Sequence, residues 1–100
     1  MDQVEIFKAL SNNTRLQMLS WLKNPSEHFT QEAGVDMVAT GVCVGLIQKK
    51  SGLSQSTVSE YLSILQRAGL VQSTRIGQWT YYRRNEEGFT QLIKSIESEI

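Results

Sequence analysis

The sequence predicts a mainly α domain carrying a small β-hairpin, on three observations. Apolar residues recur at helical spacing in four separate stretches, near residues 3–10, 13–23, 55–68 and 86–100. Two runs rich in β-branched and aromatic residues, Val71 to Ile76 and Trp79 to Arg84, flank Gly77-Gln78. A chain of 100 residues with 40% apolar content is long enough to bury one core without staples.

Each element has its own signal. Val4, Phe7 and Leu10 at three-residue spacing read as a short first helix with a buried stripe. Asn12 is the expected N-cap of a second helix from about Asn13 to Lys23. Its core face is Leu16, Leu19 and Leu22, widened by Met18 and Trp21. Asn24-Pro25-Ser26 ends it, since proline cannot continue the hydrogen-bond ladder. Residues 25–42 read as a long loop with one apolar patch, Val35 to Ala39; such a length is uncommon inside a compact domain. Val42, Cys43 and Val44 fit a very short strand before a third helix over about Val44 to Lys50.

Ser51-Gly52-Leu53-Ser54 is a tight turn, with Ser54 as N-cap of a fourth helix. Val58, Leu62 and Leu65 give that helix one buried face, opposite Ser56, Ser59, Glu60, Ser63 and Arg67. Gly69 is its C-terminal cap, with Leu70 folding back on the last turn. After the hairpin, Asn85 caps a last helix with Glu86 and Glu87 in its first turn, where carboxylates suit the dipole. Its stripe is Phe89, Leu92, Ile93, Ile96 and Ile100.

Composition excludes several classes. No run approaches ~18 apolar residues, so no transmembrane helix is expected. The first residues, MDQVEIFKALSNN, lack a basic leader and apolar block, which points to the cytoplasm and not to secretion. One cysteine makes no internal disulfide and cannot alone hold a tetrahedral zinc. No nucleophile elbow, phosphate loop, HExxH or convincing carboxylate pair is present, so the reading is no enzyme, no cofactor and no metal.

The formal charge is zero, from ten basic and ten acidic residues, but it is unevenly spread. Residues 1–48 carry three basic and five acidic residues, a net of −2. Residues 49–84 carry six basic residues against Glu60 alone, a net of +5. Residues 85–100 carry Lys94 against four glutamates, a net of −3. A basic segment between acidic ones is an electrostatic footprint that the average conceals.

Two helices joined by a short glycine-containing turn form a helix-turn-helix, here about residues 44–69, and a basic hairpin after it (70–84) makes a winged helix. Short polar side chains at the start of the second helix permit close approach to double-stranded DNA. Gln55, Ser56 and Ser59 are the expected base readers, with Glu60 either accepting from a cytosine amine or repelling a wrong register. Ser54, Thr57, Lys49, Lys50, Arg75, Gln78, Arg83 and Arg84 are the expected phosphate contacts. Lys49 and Lys50 equally suit a helix C-terminus with no DNA near it.

The stretch SGLSQSTVSEYLSILQRAGLV, followed by TRIGQWTYYRRNE, resembles the recognition helix and wing of the ArsR/SmtB family of bacterial transcriptional repressors. KALSNNTRLQMLSWL resembles the same family's first helices, whose usual text is close to ALSDPTRLxIL. The resemblance spans nearly the whole chain except residues 25–40. It implies a dimeric winged helix that represses a promoter and releases it when an inducer or a chemical change arrives. This chain departs from the pattern in four places. Gly45 stands where the family's Cys-x-Cys metal site has its second cysteine, leaving Cys43 alone; the last helix has no His; Glu60 and Tyr61 replace a frequent Gln-His or His-His; and the 25–40 insertion is long.

Cys43 is then either a redox-sensitive thiol or an inert core residue. His28 has no partner pattern and reads as a loop residue. Among Trp79, Tyr81 and Tyr82, which alternate with the pleat, at least one pair is expected in the core. The apolar residues Phe89, Leu92, Ile93, Ile96 and Ile100, with Val4 and Phe7 alongside, favour a symmetric partner, a second copy of the chain. The competing reading is a winged helix used as a protein-interaction module, which would need no basic strip.

Overall fold

Short polar side chains set the helix starts. In a computed structural model, which describes residues 2–30 and 34–100, Asp2 opens α1 (Gln3–Leu10) by accepting from the N–H groups of Val4 and Glu5. Asn12 opens α2 (Asn13–Lys23) through a 2.9 Å bond from the Arg15 N–H, as its position predicts. The faces differ from expectation. In α1 the core takes Ile6 and Ala9, and Val4 and Phe7 are exposed. Eight residues carried two apolar faces, and spacing alone does not say which one the domain covers. In α2 the buried set is Met18, Leu19, Trp21 and Leu22, while Leu16 is exposed. At ~100° per residue, Leu16 lies outside the arc those four define.

Pro25 does end α2, yet it also starts a single helical turn, α3 (Pro25–His28), a position where its missing N–H costs nothing. The predicted loop therefore contributes to the core. Phe29 packs edge-on against Trp21, with ring centroids 6.3 Å apart, and Met37 is buried. The Asp36 carboxylate accepts from the N–H groups of Val38 and Ala39 and shapes the chain around Met37. Residues 31–33 of that predicted loop lie outside the described residues.

Strand β1 (Val42–Cys43) leads into α4 (Val44–Ser51), and Gly52, at φ +71°, closes that helix. Ser54 caps α5 (Gln55–Arg67) by accepting from the Thr57 N–H at 3.2 Å. At the other end Gly69, at φ +78°, lets the Leu70 N–H reach the Leu65 carbonyl and its own N–H reach that of Gln66. Strands β2 (Val71–Ile76) and β3 (Trp79–Arg84) form the predicted hairpin, with Ile76 facing Trp79 across Gly77-Gln78. The sheet order is β1-β3-β2, all antiparallel.

The last helix, α6 (Glu86–Glu99), starts differently from the expectation for Asn85. That residue stands at the N-cap, but its side chain makes no capping bond and donates instead to the Gly69 carbonyl at 2.8 Å. Its N–H bonds the Leu70 carbonyl. Gly88 completes the joint, because a Cβ there would sit 2.2 Å from the same Gly69 oxygen. The first turn of α6 is thus seated on the C-terminal cap of α5. Of the predicted α6 stripe, Leu92 belongs to the core of the protomer itself and Phe89 packs against it.

Candidate nucleic-acid interface

The orientation of α5 is set from below. Val58, Leu62 and Leu65 are completely buried, which fixes the face that the helix turns to the core. Gln55, Ser56, Ser59 and Glu60 are consequently exposed on the outer side, Gln55 and Ser56 in the first turn. The Ser54 hydroxyl is engaged at the cap, 2.9 Å from the Thr57 hydroxyl and 3.2 Å from that of Ser56. Thr57 is half-buried.

The expected phosphate contacts divide. Lys49 and Lys50 are exposed in the last turn of α4, and the Lys50 ammonium lies over the rings of Trp21 (5.3 Å) and Phe29 (5.8 Å). Those rings hold a flexible cation in place. On the wing, Arg75 and Gln78 are exposed, and Arg75 Nε donates back to the Gly77 carbonyl at 3.1 Å. Arg83 is half-buried and donates to the Thr74 hydroxyl. Arg84 stands apart from the set. Its guanidinium makes a two-pronged pair with Glu86, at 2.8 and 3.1 Å, lies 3.9 Å from the Phe89 ring centroid, and is only 13% exposed. With Glu86 beside it, Arg84 offers little net charge to a phosphate, and it serves to bind the wing to α6.

Strand pairing also separates the wing arginines. Cross-strand partners share a face, so Arg75 (opposite Thr80) and Arg84 (opposite Val71) project from one face, and Arg83 (opposite Gln72) from the other. The sequence reading missed the wing tip. Ile76 and Trp79 are the last pair before the turn and are 52% and 53% exposed. Counting outward from the turn would have placed them beyond the core. Of the three aromatics on β3, Tyr81 is buried and Tyr82 is half-buried against the core, so these two are the pair that packs inward while Trp79 is exposed; burial raises the Tyr82 phenol above the usual 10.0.

Cys43 is buried in β1, directly across from Tyr81. Among the described residues no three His, Cys, Asp or Glu side chains converge as metal ligands would. His28 is half-buried at the end of α3.

A second surface lies on α1 and α6. Gln3 Nε2 donates to the Ser95 hydroxyl and to Glu99 at 2.7 Å, tying the two helices side by side. Val4, Phe7, Ile93, Ile96 and Ile100 remain exposed on this pair.

Residues 42–73 match the model of the bacterial regulatory protein, arsR family. The whole chain is 51% identical, over the full length of both proteins, to the uncharacterized HTH-type transcriptional regulator YbzH of Bacillus subtilis. The chain belongs to the arsR family. It is a winged-helix, DNA-binding transcriptional regulator. A further relative, the arsenic resistance transcriptional regulator ArsR1 of Pseudomonas putida, is 30% identical over 82% of this chain and 53% of its own. Among solved structures, a homodimeric winged helix-turn-helix DNA-binding domain from Mycobacterium bovis superposes with a TM-score of 0.65 at 32% identity, covering 96% of this chain and 76% of that one. No helix among the described residues is long and apolar enough to cross a membrane.

Proposed function

We propose that this arsR-family protein is a cytoplasmic homodimeric repressor that reads an inverted-repeat operator with α5. The carrying observation is the division of α5 into a wholly buried apolar face and an exposed face of Gln55, Ser56, Ser59 and Glu60. Such a helix anchors its apolar face in the core and turns hydrogen-bonding groups outward, as entry into a major groove requires. Gln55 is the bidentate reader for adenine. Lys49, Lys50 and Arg75 supply the phosphate term, with Arg83 secondary to them because it is half-buried as well as engaged by Thr74.

The dimer forms through Val4, Phe7, Ile93, Ile96 and Ile100, which are exposed on two helices already tied together by Gln3. Isolated apolar residues on a surface need no explanation, but five on adjoining helices mark an interface. The homodimeric M. bovis neighbour supports pairing of two copies of the chain. Two-fold symmetry then sets the recognition helices about 34 Å apart, one turn of DNA. Gel-shift titration against the DNA upstream of the protein's own gene, across a salt series, tests this reading. Salt-sensitive binding that prefers this DNA over random sequence is expected; equal affinity for both removes the repressor assignment.

A further inference from the structure

We propose that Arg15 is a positioning residue that fixes the recognition helix relative to the dimer surface, with α1 as the strut between them; this rests on the reading of α5 as the DNA-reading element. The two ends of α1 are anchored to different partners. At its start, Gln3 bonds Ser95 and Glu99 of α6. At its end, the Arg15 guanidinium donates to the carbonyls of Ala9 (2.7 Å) and Lys8 (3.0 Å) and lies 5.1 Å from the ring centroid of Tyr61, on α5.

Those carbonyls belong to the last turn of α1, where no intrahelical donor is available. Ser11 takes the carbonyl of Phe7 and shares that of Lys8, and Arg15 adds the donor to Ala9. The same planar group faces the aromatic ring, an arrangement that needs a fork of N–H donors and a flat cation together. Elsewhere apolar packing between α1 and α5 is interrupted, since a cavity of about 350 Å³ opens between Val4, Ala9, Ile64, Arg15 and Arg67. Arg15, which reaches this cavity from α2, joins the end of α1 to Tyr61 of α5.

Tyr61 directly follows Glu60 and lies two residues from Ser59, on the turn that carries the proposed base contacts. Rotation or tilt of α5 there displaces base-edge contacts, whereas phosphate contacts, which depend on charge, tolerate it. The pair therefore bears on discrimination between sequences more than on total affinity.

The test compares Arg15→Lys, Tyr61→Leu, Tyr61→Phe and the Arg15→Lys/Tyr61→Leu double variant. Arg15→Lys keeps the charge but loses the fork, and Tyr61→Phe keeps the ring. Two readouts are taken, affinity for operator and for random DNA, and amide hydrogen exchange of the free protein. Arg15→Lys and Tyr61→Leu are each expected to weaken operator binding about five- to tenfold, with random-DNA binding within about twofold of the parent. The double variant should lose no more than the worse single one, and Tyr61→Phe should match the parent. Exchange should quicken in α5 and in the last turn of α1 in both single variants. Equal losses on both DNAs, losses that multiply in the double variant, or unchanged α5 exchange would each overturn the proposal. Should the parent protein itself show no operator preference, the repressor reading fails, and the exchange result alone decides whether α1 is a strut. If Arg15→Lys does not fold, Tyr61→Leu against Tyr61→Phe carries the same comparison.

Discussion

Helices α5 and α6 are both amphipathic and of similar length, 13 and 14 residues, yet their apolar stripes meet opposite fates. Val58, Leu62 and Leu65 on α5 are at 0% exposure, while Ile93, Ile96 and Ile100 on α6 stand at 56%, 40% and 75%. The difference comes from neighbours. Helix α5 is packed by α4, α2, α1 and β2, whereas α6 touches its own protomer mainly through Leu92, Phe89 and the joint at Gly69. An apolar stripe shows that a face must be covered; only the tertiary arrangement shows by what.

Substitutions on the two helices should therefore differ in effect. Leu62→Ala is expected to cost ~2–5 kcal/mol of folding stability, the usual loss for emptying a core site. Ile93→Ala, measured by the same urea titration at a concentration low enough to keep the protein monomeric, should change it by less than ~0.5 kcal/mol. Gly88→Ala tests the joint between the two helices. Its Cβ meets the Gly69 carbonyl, and a loss of ~1–3 kcal/mol is expected, since backbone can relieve the clash only by moving α6.

Ile96→Asp should leave the protomer folded by circular dichroism but weaken self-association at least ~10-fold, about 1.4 kcal/mol, in sedimentation at micromolar concentration. A dimer that survives it unchanged places the interface elsewhere. The smallest effect separates two arginines of one ribbon face. Arg75→Ala should lower the slope of log affinity against log salt by about one unit per half-site. Arg84→Ala, which removes a charge already matched by Glu86, should leave that slope unchanged.

What was legible in the sequence was local. The caps at Asn12 and Ser54, the Gly69-Leu70 closure and the Ile76–Trp79 register each depend on a few consecutive residues, and each stands where residue chemistry put it. The choice between Val4-Phe7 and Ile6-Ala9 as the buried face, the exposure of Leu16 and the burial of Leu92 depend on what packs alongside, which spacing does not encode. Phe29 and Met37 went unread as core because they sit in a segment without periodicity. The candidate DNA face was readable as polar residues on a periodic helix. The withdrawal of Arg84 was not, because i, i+2 charge pairing across a strand–helix junction has no pattern of its own.

Everything proposed for DNA recognition depends on the exposed face of α5 reading bases. Gln55→Ala, measured on operator and on random DNA over the same salt series, tests it most directly. A loss of ~1–3 kcal/mol per half-site on operator is expected, with relaxed preference at one symmetric base position and an unaltered salt slope. Equal weakening on both DNAs, with operator preference intact, would contradict it and put a different element in the groove.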